Sequence, residues 1–217
     1  MKDTGMKQVT IKLPSPQLKG NVSVEEAILR RRSVRRYRSE PLGLSQLGQI
    51  LWSAQGITGA GEFRAAPSAG ATYPLEIFVV VGDKGVVVKD AKQTREELQA
   101  SIYRYEPVSH SLRPHKAGDV RSQLARAALG QEFIAEVPVS IVICALYDRT
   151  CSRYGGRGER YVHMEVGHVG ENIHLQAVAL GLSTVEVGAF RDEEVRQVLG
   201  LDEQTKPLYI MPLGRTA

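Results

Sequence analysis

The amino-acid sequence predicts an α+β protein with a mixed or antiparallel sheet flanked by helices. Segments with helical spacing of apolar residues alternate with short β-branched segments in the order α-α-β-β-α-β-α-β-α-β, which contains no regular βαβ repeat. The chain has 217 residues, of which 42% are hydrophobic and 24% charged. This composition supports one sizeable core and excludes a disordered or collagen-like chain.

We expect a single domain over residues 23 to 217, preceded by an extended arm over residues 1 to 22. The arm contains Pro14, Pro16 and Gly20 and shows little periodicity. Such a segment must lie on another surface to be ordered.

Two helices are expected at the start of the domain. Ser23 and Glu26 have the spacing of a capping box, in which the hydroxyl faces the amide of the third residue and the carboxylate reaches back. A second helix is expected with Ser45 as its N-cap and Gly56 at its end. Its apolar residues recur at helical spacing, namely Leu47, Ile50, Leu51 and Ala54.

Three more helices are expected over residues 119 to 129, 161 to 180 and 192 to 199. The longest of these contains Gly167 and Gly170, which leave room for close backbone packing, and Gly181 supplies a stop after its last turn. A long helix of this kind is suited to the centre of a dimer.

Five segments have the composition of strands, over residues 76 to 81, 86 to 88, 139 to 146, 183 to 188 and 207 to 213. The first two flank Gly82-Asp83-Lys84-Gly85, which predicts two strands around a turn. The run from 139 is almost continuously apolar, as expected of a central strand that is buried on both faces. Residues 89 to 100 are polar and are expected to be helical or looped.

The positive charge is local. The formal net charge is +4, yet six of the nine residues from 30 to 38 are arginine, so the rest of the chain is close to neutral. The six are Arg30, Arg31, Arg32, Arg35, Arg36 and Arg38. One function class that this run allows is a non-catalytic, basic nucleic-acid-binding module, although Tyr37 is the single aromatic residue within it.

The sequence predicts a cytoplasmic protein with no membrane span. The most apolar run, residues 139 to 147, is far shorter than the ~18 residues that a spanning helix needs. The N-terminus carries Asp3 and lacks a following apolar region, so it is a poor secretory signal. Cys144 and Cys151 are too few for a disulfide framework and fit a reducing compartment.

Common catalytic motifs are absent from the sequence, including the P-loop, the G-x-G-x-x-G fingerprint, the G-x-S-x-G elbow and H-E-x-x-H. The long predicted helix does carry a dense set of possible metal ligands, namely His163, Glu165, His168, Glu171 and His174. His163 and His174 lie about 16 Å apart along a helix, too far for a shared ion. We therefore predict no metal site and a structural or interface role for these side chains.

Two segments are suited to a phosphate-containing, flat ligand. At the end of the first helix, guanidinium and hydroxyl groups offer several donors to a phosphate; they belong to Arg31, Arg32, Ser33 and Arg35. Before the first strand, small residues around Gly70 stand between Pro67 and Pro74, and their backbone can approach a flat ligand closely while Ser68 bonds its edge.

Two further segments lie at strand ends. Backbone N–H groups of Val187, Gly188 and Ala189 could reach a ring nitrogen of a ligand, because glycine allows a close approach. The chain closes with Gly214 and Arg215, which add another guanidinium at the end of the last strand.

Together these four segments resemble the FMN-dependent nitroreductase-like family in order and spacing over essentially the whole chain. The shared motifs are Arg-x-Ser-x-Arg, Pro-Ser-x-Gly-x-x-x-Pro, a Gly-containing segment after the long helix, and a terminal Gly with a nearby basic residue. Three stretches resemble the SagB-type branch, which includes azoline dehydrogenases of peptide natural-product synthesis: PSAGATYPLEIFVV, IYRYEPVSHSL and HMEVGHVGENIHLQAVALGL. The resemblance implies a nitroreductase-like FMN-binding fold in an intertwined homodimer, with two flavin sites that are each built from both subunits.

The resemblance also implies a role for each matching residue. The FMN phosphate and ribityl oxygens would be held by Arg31, Arg32, Ser33 and Arg35, with Arg215 beside Gly214 as a second cation. The isoalloxazine would be lined by Pro67, Ser68, Ala69 and Gly70, and its N5 region would meet the backbone of Val187, Gly188 and Ala189. The chain departs from many nitroreductases at Ala71, where they have Asn, and at Tyr73, where Gln is frequent.

The implied activity is that of an FMN-dependent oxidoreductase with a ping-pong cycle through flavin N5. The reductant would be NAD(P)H or another donor, and the substrate a small molecule or a peptide azoline. The sequence leaves the direction of the reaction open. Side chains that could transfer a proton to a substrate are Tyr103, Tyr105, His110 and His163.

Overall fold

A computed structural model describes residues 10–61, 63–89 and 95–217. The helices are α1 (Val24–Arg30), α2 (Leu44–Gln55), α3 (Arg121–Ala127), α4 (Phe133–Glu136), α5 (Asp148–Tyr154), α6 (Arg157–Ala179) and α7 (Asp192–Leu199), with a 3₁₀ turn at Ala69–Ala71. The strands are β1 (Ile11–Lys12), β2 (Leu42–Gly43), β3 (Leu75–Val81), β4 (Val86–Lys89), β5 (Arg95–Glu97), β6 (Ser101–Glu106), β7 (Ser111–Ala117), β8 (Val139–Leu146) and β9 (Thr205–Leu213).

Six strands form one antiparallel sheet in the order β1-β7-β6-β3-β8-β9. The central strands β3 and β8 are buried along almost their whole length. Their sequences are apolar except for Glu76 and Ser140. This composition follows from their position, because successive side chains point to opposite faces and both faces are covered. The prediction of an α+β fold with a mixed or antiparallel sheet flanked by helices is confirmed.

Two hydrophobic cores lie on the two faces of this sheet. Ile77 and Val79 of β3 pack in the core that includes the buried faces of α2 and α6, whereas Phe78 and Val80 pack in the core that includes α3 and α7. The period of two in β3 therefore divides one apolar strand between two helical layers. Over the described residues, every helix is too short or too polar to cross a bilayer.

The two strands predicted around a turn exist, but they belong to different sheets. β3 ends in the large sheet, and β4 pairs with β2 and β5 in a three-stranded mixed sheet. The Gly85 N–H donates to the Gly82 carbonyl at 2.9 Å. A Cβ at Gly85 would lie only 2.2 Å from the Pro138 carbonyl oxygen, so the close approach of this turn to the neighbouring chain requires glycine.

The predicted helix starts are partly right. The Ser23 hydroxyl accepts a hydrogen bond from the Glu26 N–H at 3.1 Å, as predicted, but the Glu26 carboxylate pairs with Arg30 at 2.7 Å instead of reaching back. Ser45 is not the N-cap of α2. Gly43 is the N-cap, and the Gln46 side chain accepts from its N–H at 3.0 Å. Gln46 occupies the third helical position, from which a side chain can return to the N-cap backbone.

The structure contains more elements than the predicted order. That order lacks five strands, β1, β2, β5, β6 and β7, and the helices α4 and α5. Residues 183 to 188, predicted as a strand, form single bridges to neighbouring segments instead. β7 contains Pro114 and several charged residues, which are tolerated because its neighbour β1 covers only two residues and a bulge lies opposite Pro114. The polar stretch from 89 to 100 was expected to be helical or looped, but Arg95–Glu97 form strand β5, which is held by its pairing with β4. Residues 90 to 94 of this stretch lie outside the described residues.

The described part of the N-terminal arm lies along the sheet edge. β1 pairs with β7, Leu13 is buried, and the Leu13 N–H donates to the His110 carbonyl at 3.0 Å. Gln17 donates its N–H to the Gln49 side chain at 2.7 Å, which ties the arm to α2. Residues 1 to 9 lie outside the described residues.

The long helix α6 has 23 residues and begins four residues earlier than predicted. Its buried stripe contacts α2 and the sheet, while Met164 and Gly167 lie on its exposed face. Gly181 follows it with a φ of 67°, as expected for a glycine that ends a helix.

Candidate functional site

Three of the four predicted binding segments meet beside the end of β9. Ser33 pairs with Thr184 in a parallel bridge, and Ser183 pairs with Gly214 in an antiparallel bridge. Gly214 packs tightly, because a Cβ there would lie 3.2 Å from the ring of Tyr37. The backbone thus places the first and fourth segments beside Ser183 and Thr184, and the chain from there leads to the third segment, where Val187 bridges to Ile210 of β9.

Two guanidinium groups in the first segment are free to bind a ligand. Within the described residues the side chains of Arg31 and Arg35 make no hydrogen bond or ion pair, and Arg35 is exposed. Arg32 is turned back onto the end of α1, where it donates to the carbonyls of Leu29 at 3.1 Å and Arg31 at 2.6 Å. The hydroxyl of Ser33 is exposed between these arginines.

Arg215 lies beside the arginines of the first segment, but its guanidinium group is already paired with Glu40. The Arg38 N–H donates to the Arg215 carbonyl at 2.9 Å. The Arg215 Nε lies 3.3 Å from the Glu40 carboxylate, which also lies 3.7 Å from Arg38. Because these pairs are solvent-exposed they are weak, and an anionic ligand would compete with Glu40 for Arg215.

The third segment offers unpaired backbone donors. Val187 and Ile210 exchange two hydrogen bonds of 2.9 Å, and there the pairing with β9 ends. Gly188 and Ala189 follow as exposed residues whose N–H groups make no hydrogen bond within the described chain. The Ala189 carbonyl is held by the Gln131 side chain at 2.9 Å, which fixes the orientation of this loop.

The second segment, residues 67 to 70, lies against α5 and α6. Arg153 donates to the Gly70 carbonyl at 3.0 Å, and the hydroxyls of Thr72 and Thr150 lie 2.8 Å apart. Over the described residues no hydrogen bond, ion pair or β-bridge joins it to the other three segments. A single chain therefore brings together three of the four predicted binding segments.

The loop after Ser68 has an unusual backbone. Gly70, Ala71 and Tyr73 have φ angles of 59°, 53° and 45°. A Cβ at Gly70 would lie 2.5 Å from the Tyr154 hydroxyl and 2.7 Å from Arg153. Non-glycine residues in this region are strained by about 1 to 2 kcal/mol each, and such strain is concentrated at functional sites.

Glu165 of α6 is a buried acid beside this loop. Its Oε1 has no hydrogen-bond partner within the described residues. Burial raises the pKa of Glu165 to about 7, opposed in part by the Ser68 and Gln55 side chains and by the charge of Arg64. A carboxyl group with such a pKa exchanges a proton near neutral pH.

A cavity of about 650 Å³ lies between the start of β3 and the end of β6. Its charged lining residues are Arg64, Arg104, Arg149, Glu76 and Glu106. Glu76 is buried and pairs with Arg104 at 2.5 Å and with Arg149 at 2.6 Å, and Arg64 lies over the ring of Tyr73 at 4.3 Å. The lining thus carries one more positive than negative charge.

The predicted proton donors Tyr105 and His110 bond to each other. The Tyr105 hydroxyl lies 2.9 Å from His110 Nδ1, and Nε2 lies 3.0 Å from the Pro14 carbonyl. Since a carbonyl only accepts, Nε2 carries the proton and Tyr105 donates to Nδ1. Burial lowers the pKa of His110 and raises that of Tyr105. This pair holds the arm to the sheet, although Tyr105 also lines the large cavity.

The other two proposed donors have structural partners as well. The buried Tyr103 donates to the Gln99 carbonyl at 2.8 Å, and burial raises its pKa. His163 Nε2 lies 2.6 Å from the Tyr147 hydroxyl on the exposed side of α6. No hydrogen bond within the described residues links any of these four side chains to the segments beside β9.

The sequence did not indicate which side chains surround the second segment. These are Arg64, Arg153 and Tyr154, together with Glu165, which the sequence did not identify as a buried acid. For Glu165 the signal was present, because it falls among Val162, Val166 and Val169 on the apolar stripe of α6. For Arg153 and Tyr154 the sequence offers no such periodicity, because α5 is short and polar.

These residues fit FMN. The free guanidinium groups of Arg31 and Arg35 and the Ser33 hydroxyl suit a phosphate, and the unpaired N–H groups of Gly188 and Ala189 suit the acceptor atoms of a ring. The phosphate-binding groups lie on a segment that bridges to Thr184, and the same stretch of chain continues from Thr184 to Gly188 and Ala189 after its bridge from Val187 to Ile210.

Known proteins share this sequence and fold. Residues 28–215 match the nitroreductase family. The protein MJ1384 of Methanocaldococcus jannaschii, which carries the name of a nitroreductase, is 45% identical over 206 residues, covering 95% of this chain and 97% of its own. The microcin B17-processing protein McbC of Escherichia coli is 29% identical over 156 residues, covering 70% of this chain and 54% of its own.

A solved structure agrees with the fold. A crystal structure of a Ralstonia eutropha protein described as a nitroreductase superimposes with a TM-score of 0.80 at 26% identity, covering 96% of this chain and 90% of that one. The presence of McbC among the relatives supports the likeness to the SagB-type branch. The sequence match, the close relative and the shared fold show that this chain is a member of the nitroreductase family of oxidoreductases.

Proposed function

We propose that the protein is an FMN-dependent oxidoreductase. The observation that carries the proposal is the meeting of three segments beside β9, which together present two free guanidinium groups, a serine hydroxyl and two unpaired N–H groups. A ligand with a phosphate at one end and a hydrogen-bonding ring at the other is complementary to this arrangement.

In this proposal Arg31, Ser33 and Arg35 hold the phosphate and ribityl chain, and Arg215 exchanges Glu40 for the phosphate. The N–H groups of the 187 to 189 segment donate to the ring. Bound FMN supplies hydride acceptance and donation, and the protein supplies position and electrostatics.

We further propose that a second copy of the chain supplies residues 67 to 70 to each site. The described contacts leave this loop apart from the other three segments. The exposed face of α6 and the adjacent α1 carry apolar side chains that a partner would cover, among them Ile28, Leu29 and Met164, which are 56%, 71% and 52% exposed. Glu165, beside Ser68, would then hold a proton next to the ring bound by the partner.

The variant Gly167→Leu is expected to be a folded monomer. Nothing lies within 4 Å of a Cβ at this position in the single chain, and leucine favours a helix over glycine by about 0.8 kcal/mol. In a dimer packed on this face, the added side chain would separate the two helices. Size-exclusion chromatography with light scattering measures the mass, with Gln123→Leu on the exposed side of α3 as the matched control. A dimeric Gly167→Leu protein would contradict the proposed interface.

The substrate is proposed to be a small molecule or a peptide azoline. The relation to McbC, a microcin-processing protein, supports the peptide class. The 650 Å³ cavity with its excess of positive charge is a second place where part of a substrate could bind.

Stopped-flow absorbance tests the proposed activity in two half-reactions. NADH or NADPH should bleach the flavin band under anaerobic conditions, and a quinone or nitroaromatic acceptor should restore it. Steady-state rates should then give the parallel double-reciprocal lines of a ping-pong cycle. A flavin that neither donor reduces and no acceptor reoxidises would indicate a protein that stores or senses flavin.

We propose that residues 23 to 217 act as one domain in the cytoplasm, where the two free cysteines, Cys144 and Cys151, would stay reduced.

The alternative function, a nucleic-acid-binding module, has less support, because Arg30 and Arg38 are paired with Glu26 and Glu40. A colourless protein with a salt-sensitive gel shift would favour that alternative.

A further inference from the structure

Three possible metal ligands lie together at the C-terminal half of α6. Two of them belong to the helix, and the third, Glu186, comes from the segment after it. Glu171 and His174 are three residues apart on one face of the helix, and Glu186 approaches from the segment that follows it. The ligand atoms of the three side chains all lie within 4.8 Å of one another.

The tautomer of the neutral His174 ring follows from its hydrogen-bond partner. His174 is 98% buried, since only 2% of its surface is exposed, and its Nε2 lies 2.9 Å from the Thr184 carbonyl oxygen. Because a carbonyl only accepts, Nε2 carries the proton in the neutral ring, and Nδ1 holds a lone pair. Metal-binding histidines commonly have their second nitrogen held in this way.

The free nitrogen points into the cluster without a hydrogen-bond partner. His174 Nδ1 makes no hydrogen bond within the described residues, and the nearest Glu186 oxygen lies 3.5 Å away. Ligand atoms bound to tetrahedral Zn²⁺ at its usual bond lengths lie about 3.4 Å apart. The His174 to Glu186 spacing is therefore already that of two ligands on one ion.

In the described part of the chain, the carboxylates of Glu171 and Glu186 have no lysine or arginine partner, and Glu186 is held against α6. A Cβ at Gly170 would lie 3.4 Å from the Glu186 Cγ, so Glu186 packs against α6 at this glycine. Among the described residues no lysine or arginine forms an ion pair with Glu171 or Glu186. Two uncompensated carboxylates beside an imidazole lone pair attract a divalent cation.

We propose that Glu171, His174 and Glu186 form a binding site for a divalent transition-metal ion of the Zn²⁺ class. One imidazole and two carboxylates suit Zn²⁺ and leave a fourth position for water, whereas Mg²⁺ prefers oxygen ligands throughout. The site rests on contacts within one chain and does not depend on the proposed flavin.

Isothermal titration of chelator-treated protein with ZnCl₂ tests the site. We expect one Zn²⁺ per chain with much weaker binding of Mg²⁺. Glu171→Gln and Glu186→Gln should each weaken Zn²⁺ binding at least about tenfold, because even partners outside the coordination shell contribute 10- to 100-fold. Glu159→Gln, an exposed carboxylate elsewhere on α6, is the matched control and should bind as the wild type does.

Thermal unfolding without metal shows whether each variant is folded. Glu171 is exposed, so Glu171→Gln should melt as the wild type does and still lose the stabilisation by zinc. Zinc binding that Glu171→Gln and Glu186→Gln leave unchanged would place the ion elsewhere and overturn the proposal. A wild type that takes up no zinc would also overturn it.

Discussion

Arg35→Ala is expected to weaken FMN binding by about tenfold to a hundredfold. Hydrogen bonds to charged groups contribute about 1.5 to 3 kcal/mol, and every 1.4 kcal/mol is about a factor of ten in affinity. The Arg35 guanidinium has no partner within the described residues, so its removal breaks no contact of the fold. Fluorescence titration of cofactor-free protein with FMN measures the change.

Arg36→Ala is the matched control for this prediction. Arg36 is the next residue, is also exposed and lacks a side-chain partner within the described residues, yet it lies outside the Arg-x-Ser-x-Arg motif. Equal losses in both variants would indicate a general effect of charge. Unchanged FMN occupancy in both Arg35→Ala and Arg31→Ala would reject the assignment of the phosphate site.

Glu165→Gln is expected to stabilise the protein at alkaline pH by about 3 kcal/mol. Burial raises the pKa of Glu165 from 4.5 to about 7 in the folded state, and one pKa unit is worth about 1.4 kcal/mol. The raised pKa means that the contribution of Glu165 to stability is full below pH 4.5 and is lost as the pH rises through 7. Glutamine keeps the shape of the protonated acid without this dependence.

Urea unfolding between pH 4.5 and pH 8.5 measures this effect as the difference between variant and wild type. The free energy of unfolding should be similar at the acid end. The variant should exceed the wild type by a growing margin as the pH rises from 4.5 to about 7, and the margin should stay constant above that. Glu159→Gln, an exposed residue of the same helix, should show no such trend. A difference that stays constant with pH would mean that Glu165 titrates normally.

Much of the fold follows from local sequence. The apolar run of β8 placed a central strand correctly, and the stripe through Val162, Val166 and Val169 located α6, because burial on a sheet face or helix face imposes its period on the sequence. The same reasoning overlooked β6 and β7, whose charged residues and Pro114 are compatible with a strand only through the neighbours that pair with them. Such pairing is tertiary information.

The candidate site divides in the same way. Arg35, Ser33 and Gly188 stand out in the sequence because their residue types suit a phosphate and a ring, and the structure joins their segments. His110 bonds to Pro14, which is 96 positions away in the chain. Glu186 lies beside His174, which is 12 positions away. No periodicity reports such contacts, so the roles of these residues emerge only in three dimensions.

The central claim is that the three segments beside β9 bind FMN. Its most direct test is the visible spectrum of the purified protein, followed by mass identification of what heat denaturation releases. We expect a flavin spectrum and FMN released at about one per chain. A colourless protein that also fails to bind added FMN would contradict the account.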